Sequence, residues 1–393
     1  MQLESGRLEG GNRPLQLFRP RFRVEEALSQ IRECLEDGWT GSGHKTLEIE
    51  QAWRDYTGLP HAHFVNSATA ALHLAVRVLK EQRGWHSGDE VITTPITFVS
   101  TNHAILYEGL SPVFADVDEY ACLSPESVLS QLTPRTRAVM FVGLGGRTGR
   151  LEEIVDICRA NGLSLILDAA HLAGTKFKGE DPGHLADAAC YSFQAVKNVP
   201  TADSGMVCFI DPEMDALARK LSWLGIDKDT YSRSSGGSYA WMYGVENLGY
   251  KYNGNSVMAA LALVGLKYLD EDNARRYLIN AYYEDLLGLE GFQVVPSSPN
   301  CRSSNHLTQV VVENRPKVIR ALQEHSIFPG VHYRDNLDYP MYSHAKGSCP
   351  QAEYFSHHLL SLPNHYQVTE NDAAEVASII AQSGRPAPLV SRA

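Results

Sequence analysis

The sequence lacks the features of an exported or disulfide-stabilised protein. Its seven cysteines are an odd number, are widely scattered, and form no CxxC pair and no zinc-like spacing. The first 20 residues contain no apolar stretch of the kind that a secretory signal requires. The longest strongly apolar run, residues 257–266, is about half as long as a membrane span. We therefore expect a soluble protein in a reducing cytoplasm.

Positive charge is also scarce. The chain has 35 Lys and Arg against 46 Asp and Glu, a net charge of −11, and no run of basic residues. This balance disfavours capture of nucleic acid or of an anionic membrane as the main function, so an anionic ligand would need a local site. With 393 residues and 44% hydrophobic residues, the chain is long enough for more than one ordinary globular domain.

From about residue 67, helix-like and strand-like segments alternate. Apolar residues recur at helical spacing over residues 69–80, and helices are also predicted over residues 151–162 and 212–225. Short apolar runs typical of buried strands occupy residues 90–94, 112–117, 138–142 and 163–168. This alternation predicts an α/β domain whose mostly parallel sheet is flanked by helices.

A second, smaller unit is predicted towards the C-terminus. A long apolar helix over residues 257–269 leads into a charged helical stretch, and strand-like and helix-like segments follow at residues 306–313 and 318–326. We place the boundary near residue 270. Residues 1–270 then form the large domain with an N-terminal arm, and residues 271–393 form a small α+β domain. With no internal repeat or disordered linker in view, the two should pack together.

An acid ends the last of these apolar runs. Asp168 closes residues 163–168, and His171 follows three residues later. Ligands of open α/β sheets bind at the carboxyl ends of the strands, so Asp168 is well placed to contact one. On this fragment alone, an aspartate that caps the next helix explains the pattern equally well.

A lysine and a helix start complete the set of candidates. Lys197 lies in a polar stretch directly after the apolar residues 188–193. If its pKa were lowered, Lys197 could act as a Schiff-base nucleophile. The alternative is a solvated surface lysine, which is the usual state of an isolated lysine in a loop. Ser67, Ala68 and Thr69 open a helix, where free N–H groups favour an anion, although Ser and Thr are also ordinary N-caps. The glycine-rich residues 143–149 match neither a dinucleotide fingerprint nor a Walker loop.

Together these pieces resemble a known family. The helix start, the strand-end acid and the later lysine come in the order found in the fold-type I pyridoxal-phosphate enzymes, and specifically in the DegT/DnrJ/EryC1/StrS sugar aminotransferases. The resemblance extends over most of the chain, through residues 38–58, 88–101, 167–179, 192–198, 248–263 and 330–333. It implies a large domain with a mostly parallel mixed sheet and a smaller C-terminal α+β domain.

The resemblance also implies roles for individual residues. Lys197 would bind the cofactor as a Schiff base and move the proton between substrate and cofactor, while Asp168 would pair with the pyridine nitrogen. His171 would hydrogen-bond near the phenolic oxygen of pyridoxal 5′-phosphate, and Phe98 would stack on its ring. The residues implied to hold the phosphate are Ser67, Ala68, Thr69, Ser192 and, from the neighbouring subunit of a homodimer, Asn253. The implied contacts to substrate are Thr40, Ser42, Lys251, His332 and Tyr333.

The sequence departs from the family pattern at three places, the first being Ala68, where the phosphate motif usually has glycine. Residues 203–205 read Asp-Ser-Gly where an acid followed by two glycines is usual, and residues 143–149 replace a proline-containing turn beside the cofactor cleft. Members with His in place of the lysine act as dehydratases, and Lys197 argues against that activity here.

The resulting hypothesis is an enzyme of deoxyamino sugar biosynthesis. It would move an amino group from L-glutamate, or glutamine, to a nucleotide-linked keto-sugar, and residues 248–253 favour C-4 of a 4-keto-6-deoxysugar. The alternatives are a C-3 keto-sugar, a cyclitol ketone or an amino-hydroxybenzoate precursor as acceptor, and a non-catalytic regulator that retains the cofactor. His61 and His63 are too few ligands for a metal site, so no metal is expected.

Overall fold

The computed structural model describes residues 14–227 and 242–389. The parts of the two predicted domains at residues 1–13, 228–241 and 390–393 lie outside the described residues. The helices are α1 Val24–Glu36, α2 His44–Thr57, α3 Ala68–Arg83, α4 Val99–Tyr107, α5 Pro125–Ser130, α6 Leu151–Asn161, α7 Pro212–Ser222, α8 Ser256–Lys267, α9 Leu269–Leu289, α10 Arg315–Glu324, α11 Pro350–His358 and α12 Glu370–Ser383. The strands are β1 His63–Val65, β2 Glu90–Thr93, β3 Ser111–Phe114, β4 Thr136–Val142, β5 Ser164–Asp168, β6 Lys176–Phe177, β7 Ala188–Ser192, β8 Gly205–Phe209, β9 Gln293–Val294, β10 Cys301–Arg302, β11 Thr308–Val311 and β12 Leu359–Leu362.

A seven-stranded sheet organises the first part of the chain. Its strand order is β1-β8-β7-β5-β4-β2-β3, and β8 alone runs antiparallel to its two neighbours. The predicted mostly parallel sheet flanked by helices is thus confirmed, and the four predicted strands are β2, β3, β4 and β5. Because four of the parallel strands, β2, β4, β5 and β7, lie side by side, their carboxyl ends meet at the same edge of the sheet.

Both faces of this sheet are covered, as the apolar character of its strands requires. Along β4, Val139 and Phe141 belong to the core cluster that contains Trp53 of α2, whereas Ala138 and Met140 face the cluster formed with α3. This alternation follows from the two-residue period of a strand. The predicted helix at residues 212–225 ends earlier, at Ser222, since Trp223 leaves helical geometry and pairs with Lys251.

The C-terminal part has its own core. Strands β12, β11 and β9 form an antiparallel sheet, against which α9, α10 and α12 pack through residues such as Tyr283 and Ile380. Leu15 of the N-terminal arm is buried in this cluster, so the arm crosses to the C-terminal part of the molecule. The predicted boundary near residue 270 falls where α8 and α9 meet around Tyr268, and it stays a prediction.

None of the helices within residues 14–227 and 242–389 is both long and apolar enough to cross a membrane.

A buried polar network fixes the segment before α8. The rings of Tyr250 and Tyr252 stack 4.9 Å apart, and His73 of α3 accepts a hydrogen bond from the Tyr252 hydroxyl and donates to Glu108. Tyr250 also donates to Glu108. The network therefore ties residues 250–253 to two helices of the large sheet.

Glu108 should stabilise the fold in a pH-dependent way. Burial acts to raise its pKa, but the hydrogen bonds from His73 and Tyr250 and the charge of Arg77 outweigh burial and lower the pKa to about 2. The stabilisation is therefore complete above about pH 4.5 and is lost as the pH falls towards 2. We expect Glu108→Gln to lower the free energy of unfolding by about 2 kcal/mol at pH 6, discounted for partial solvent access, and by much less at pH 3. Urea denaturation of both proteins across this range measures the difference; a constant difference would contradict the assignment.

Candidate active site

A cavity of about 450 Å³ opens at the carboxyl edge of the large sheet. The last residues of three adjacent strands, Val142 of β4, Asp168 of β5 and Ser192 of β7, all line it. The wall opposite the sheet comes from Phe18 of the N-terminal arm and from residues 306 and 332–333 of the C-terminal part. The cavity is thus built from segments far apart in the chain.

Ten of the predicted site residues line this cavity. They are Ser67, Ala68, Thr69, Phe98, Asp168, His171, Ser192, Lys197, His332 and Tyr333. The other four, Thr40, Ser42, Lys251 and Asn253, are not among its lining residues.

The carboxyl group of Asp168 is buried and held in place by two donors. The Thr101 hydroxyl donates to Oδ2 at 2.7 Å, and the Ala170 N–H donates to Oδ1 at 3.1 Å. Burial raises the pKa of Asp168, while these two hydrogen bonds and the positive charge of Lys197 act to lower it. A buried carboxylate of this kind is stabilised by a cation placed against it.

Lys197 lies in the turn after β7 and faces the cavity. Within the described residues its Nζ has no hydrogen-bond or ion-pair partner. Burial lowers the pKa of Lys197 to about 8, opposed by the negative charge of Asp168. A sizeable fraction of the amine is therefore uncharged near neutral pH, which is what a Schiff-base nucleophile requires.

The start of α3 forms one end of the cavity. Ser67 is the N-cap of α3, and its Oγ accepts a hydrogen bond from the Ala70 N–H. The N-cap interpretation and the phosphate-binding interpretation of this segment are therefore compatible, since an N-cap leaves the first N–H groups of the helix free to bind an anion. Ser192 and Ser204 line the same cavity, and the extra hydroxyl of Ser204 contacts that of Thr201 at 2.8 Å.

Gly205 allows the sheet to approach the start of α3. A Cβ there would lie 2.7 Å from the carbonyl oxygen of Tyr191 and 2.8 Å from the nitrogen of Ala68. We expect Gly205→Ala to force these backbones apart, destabilise the fold by roughly 1–3 kcal/mol and weaken cofactor binding. Thermal denaturation and fluorescence titration with pyridoxal phosphate measure both effects. Gly288→Ala is the matched control, because a Cβ there meets nothing within 4 Å; equal behaviour of the two variants would contradict the expectation.

His171 lines the cavity, but protein groups already contact both of its ring nitrogens. Its Nδ1 accepts from the Gly145 N–H at 3.1 Å, so the proton is on Nε2, which lies 3.2 Å from the Tyr333 hydroxyl. Burial and the charge of Lys197 lower the pKa of His171 well below its usual value, which keeps the ring neutral. A hydrogen bond to a cofactor oxygen would share Nε2 with Tyr333.

The four remaining predicted residues lie in and around a second region, which we call the Ser42–Asn253 cluster. Asn253 donates from Nδ2 to Ser42 Oγ at 2.8 Å, Ser42 donates to the Gly254 carbonyl, and the Thr40 carbonyl accepts from the Ser256 N–H. Lys251, two residues before Asn253, places Nζ over the ring of Trp223. Within the described residues, the buried Oδ1 of Asn253 has no hydrogen-bond partner.

Several residues behind the cavity wall carried no recognised sequence motif. Residues 143–149 match no known motif, but the Gly145 N–H in this segment donates a hydrogen bond to His171. Arg147 in the same segment is buried. Arg147 donates to Gln309 of β11, which in turn donates to the His332 carbonyl. The sequence feature that could have indicated this tight turn is the glycine pair Gly145 and Gly146, both of which have positive φ.

Within the described ranges, no group of three or more His, Cys, Asp or Glu side chains is arranged to hold a metal ion. His63 instead contacts Glu50 at 3.0 Å and Ser222 at 2.7 Å inside the fold.

Comparison with known proteins identifies the family of this chain. The model of the DegT/DnrJ/EryC1/StrS aminotransferase family matches residues 22–381. The spore coat polysaccharide biosynthesis protein SpsC of Bacillus subtilis is 34% identical, over 91% of this chain and 94% of its own length.

Solved structures of sugar aminotransferases have the same fold as this chain. Spr1654 of Streptococcus pneumoniae in its PMP form is 26% identical with a TM-score of 0.85, covering 93% of this chain and 98% of its own, and a PLP form is also known. DesI, solved in the presence of its TDP-sugar product, is 27% identical with a TM-score of 0.82, covering 94% of this chain and 92% of its own. The chain belongs to the DegT/DnrJ/EryC1/StrS family and is a pyridoxal-phosphate-dependent aminotransferase.

Proposed function

We propose that the protein transfers the amino group of L-glutamate to a keto-sugar carried on a nucleoside diphosphate, at C-4 of a 4-keto-6-deoxysugar. The observation that carries this proposal is Lys197, whose pKa is lowered to about 8, in one cavity with Asp168 and the start of α3. DesI, which binds a TDP-sugar product, supports the nucleotide-linked acceptor. The preference for C-4 rests on residues 248–253.

The charges of the cavity fit pyridoxal phosphate. Asp168 is a buried acid that a cation stabilises, and the N–H groups at the start of α3 favour an anion. A protonated pyridine nitrogen and a phosphate meet these two requirements on one small molecule. When bound, the cofactor supplies an electron sink for the carbon that gains or loses the amino group.

The chain's own residues then have distinct tasks. Lys197 would hold the cofactor through Nζ and would carry a proton to or from the reacting carbon. Asp168 keeps the pyridine nitrogen protonated, and the Thr101 hydroxyl and Ala170 N–H hold its carboxylate in position. Phe98, which is 58% exposed, covers the cofactor ring, while His332 and Tyr333 contact the substrate.

The Ser42–Asn253 cluster acts in the cavity of a second copy. Its residues do not line their own cavity, and the buried Oδ1 of Asn253 lacks a partner within the described part of the chain. A homodimer would give these polar groups a phosphate and a substrate to bind. Mixing Lys197→Ala chains with Asn253→Ala chains tests this directly. Each variant alone should be impaired, while mixed dimers should regain one intact site; no recovery on mixing would contradict shared sites.

The first experiment is the absorption spectrum of the protein loaded with pyridoxal phosphate, before and after addition of L-glutamate. We expect the yellow band to disappear as 2-oxoglutarate is released. If neither glutamate nor glutamine changes the band, the assignment of the amino donor fails, and the result favours a non-catalytic regulator that retains the cofactor.

A panel of acceptors decides the second half of the reaction. Keto-sugars with and without the nucleotide, a C-3 keto-sugar and a cyclitol ketone are offered to the pyridoxamine form of the enzyme. We expect turnover to require the nucleotide and to be higher with the C-4 than with the C-3 keto-sugar. Equal turnover of the C-3 keto-sugar, of a free cyclitol ketone, or of an amino-hydroxybenzoate precursor offered in the same way would contradict the proposed function.

A further inference from the structure

One ring of the cavity wall has no role in the scheme above. His306 precedes β11, lines the cavity and is only 3% exposed. The Phe18 ring stacks on one side of it at 5.4 Å and 9°, and the His171 ring lies on another side at 4.3 Å. The imidazole is therefore held between two rings and has little freedom to turn.

A chain of amides fixes which nitrogen of His306 carries the proton. Asn273 donates from Nδ2 to the Ala173 carbonyl, so its Oδ1 is the acceptor for Asn198 Nδ2, at 2.8 Å. Asn198 Nδ2 also donates to the Ser304 carbonyl at 3.2 Å, which leaves Asn198 Oδ1 as the atom facing His306. That oxygen lies 2.8 Å from His306 Nδ1 and can only accept.

The proton of the neutral His306 ring is therefore on Nδ1, and Nε2 carries a free lone pair. Within the described residues Nε2 has no hydrogen-bond partner. Burial and the charge of Lys197 lower the pKa of His306 well below its usual value, so the ring stays neutral. His171, with its proton on Nε2, has the opposite tautomer, so the two adjacent rings that line the cavity differ in which nitrogen can accept a hydrogen bond.

An acceptor such as His306 Nε2 would discriminate between glutamate and the keto-sugar. It repels the carboxylates of glutamate and favours a group that donates a hydrogen bond, and a sugar ring carries several hydroxyls of this kind. We infer that His306 Nε2 accepts a hydrogen bond from a hydroxyl of the sugar and so is a specificity-determining residue for the acceptor. This inference rests on the proposed function, because it requires a sugar in the cavity.

Two substitutions separate the nitrogens. His306→Asn keeps a donor where Nδ1 meets Asn198 but removes the acceptor at Nε2, whereas His306→Gln can place an amide oxygen near the Nε2 position. His325→Asn is the control, since His325 is exposed and its ring contacts the Ala321 carbonyl of the preceding helix. Thermal denaturation and the cofactor spectrum establish that each variant is folded and loaded.

Calorimetry on the pyridoxal-phosphate form then measures binding of a TDP-linked 4-amino-4,6-dideoxyhexose and, as the matched probe without a sugar, of TDP. We expect His306→Asn to weaken binding of the amino sugar about tenfold while TDP binding changes little, and His306→Gln to recover most of the loss. Equal binding of the amino sugar by wild type and His306→Asn, or equal weakening of both probes, overturns the inference. If the wild type binds the amino sugar no better than TDP, the proposed function fails, and the role of His306 fails with it.

Discussion

Replacing Lys197 by alanine is expected to reduce transamination at least about 10³-fold and to abolish the yellow band of the bound cofactor. Lys197 lines the cavity and is half-buried, and its Nζ has no ion-pair or hydrogen-bond partner within the described residues. The variant loses both the covalent attachment and the group that moves the proton, so two effects act together. Stopped-flow absorbance with L-glutamate measures the first half-reaction directly.

Lys178→Ala is the matched control for this experiment. Lys178 is about half exposed and forms a surface ion pair with Glu152, so its loss should leave the spectrum and the rate unchanged. Excess amine in solution should restore part of the activity of Lys197→Ala, because a free amine can replace the missing base. Turnover by Lys197→Ala within tenfold of the wild type would remove Lys197 from the reaction.

Replacing Asp168 by asparagine is expected to slow the reaction by about 10²–10⁴-fold without abolishing the yellow band. Asparagine has the same shape but no charge, so the pyridine nitrogen loses the partner that keeps it protonated. Loss of one partner of a buried ion pair typically costs about 3–5 kcal/mol, which corresponds to this range of rates. The band should persist because Lys197 still binds the cofactor.

The stability of the cofactor-free protein gives an independent check on Asp168. Burial raises the pKa of this group, so its charged form is unfavourable in the absence of a cation. Asp168→Asn should therefore melt at the same temperature as the wild type or higher without cofactor, and lower only when both are loaded. Asp156→Asn, at an exposed position, should change neither value. A variant of Asp168 that keeps its full rate would show that the ring nitrogen has no need of this acid.

The order of strands and helices was largely readable from the sequence. The apolar runs that became β2 to β5 are short and strongly patterned, and a parallel sheet follows from their alternation with helices. Helix ends were less accurate where a contact distant in sequence decides them, as at Trp223, which pairs with Lys251 and ends α7 early.

The candidate site was readable only in part, and the division has a physical cause. Asp168 ends a strand, Ser67 precedes a helix, and Lys197 lies in the turn after a strand, so a local sequence pattern indicates each of these positions. Phe18, Arg147, Gln309 and His306 carry no such local signal. They matter because the arm and the C-terminal strands fold back onto the sheet.

The α/β order of the elements, the candidate acid and lysine, and the resemblance to the family could all be read from the amino-acid sequence. Three features required the folded chain: the set of residues that share the cavity, the nitrogen of His171 and of His306 that carries the proton, and the position of the Ser42–Asn253 cluster outside its own cavity. Local patterns depend on neighbours a few residues apart. A tautomer depends on a hydrogen bond such as the one between His306 and Asn198, whose partners are 108 residues apart in the chain and adjacent only in the folded protein.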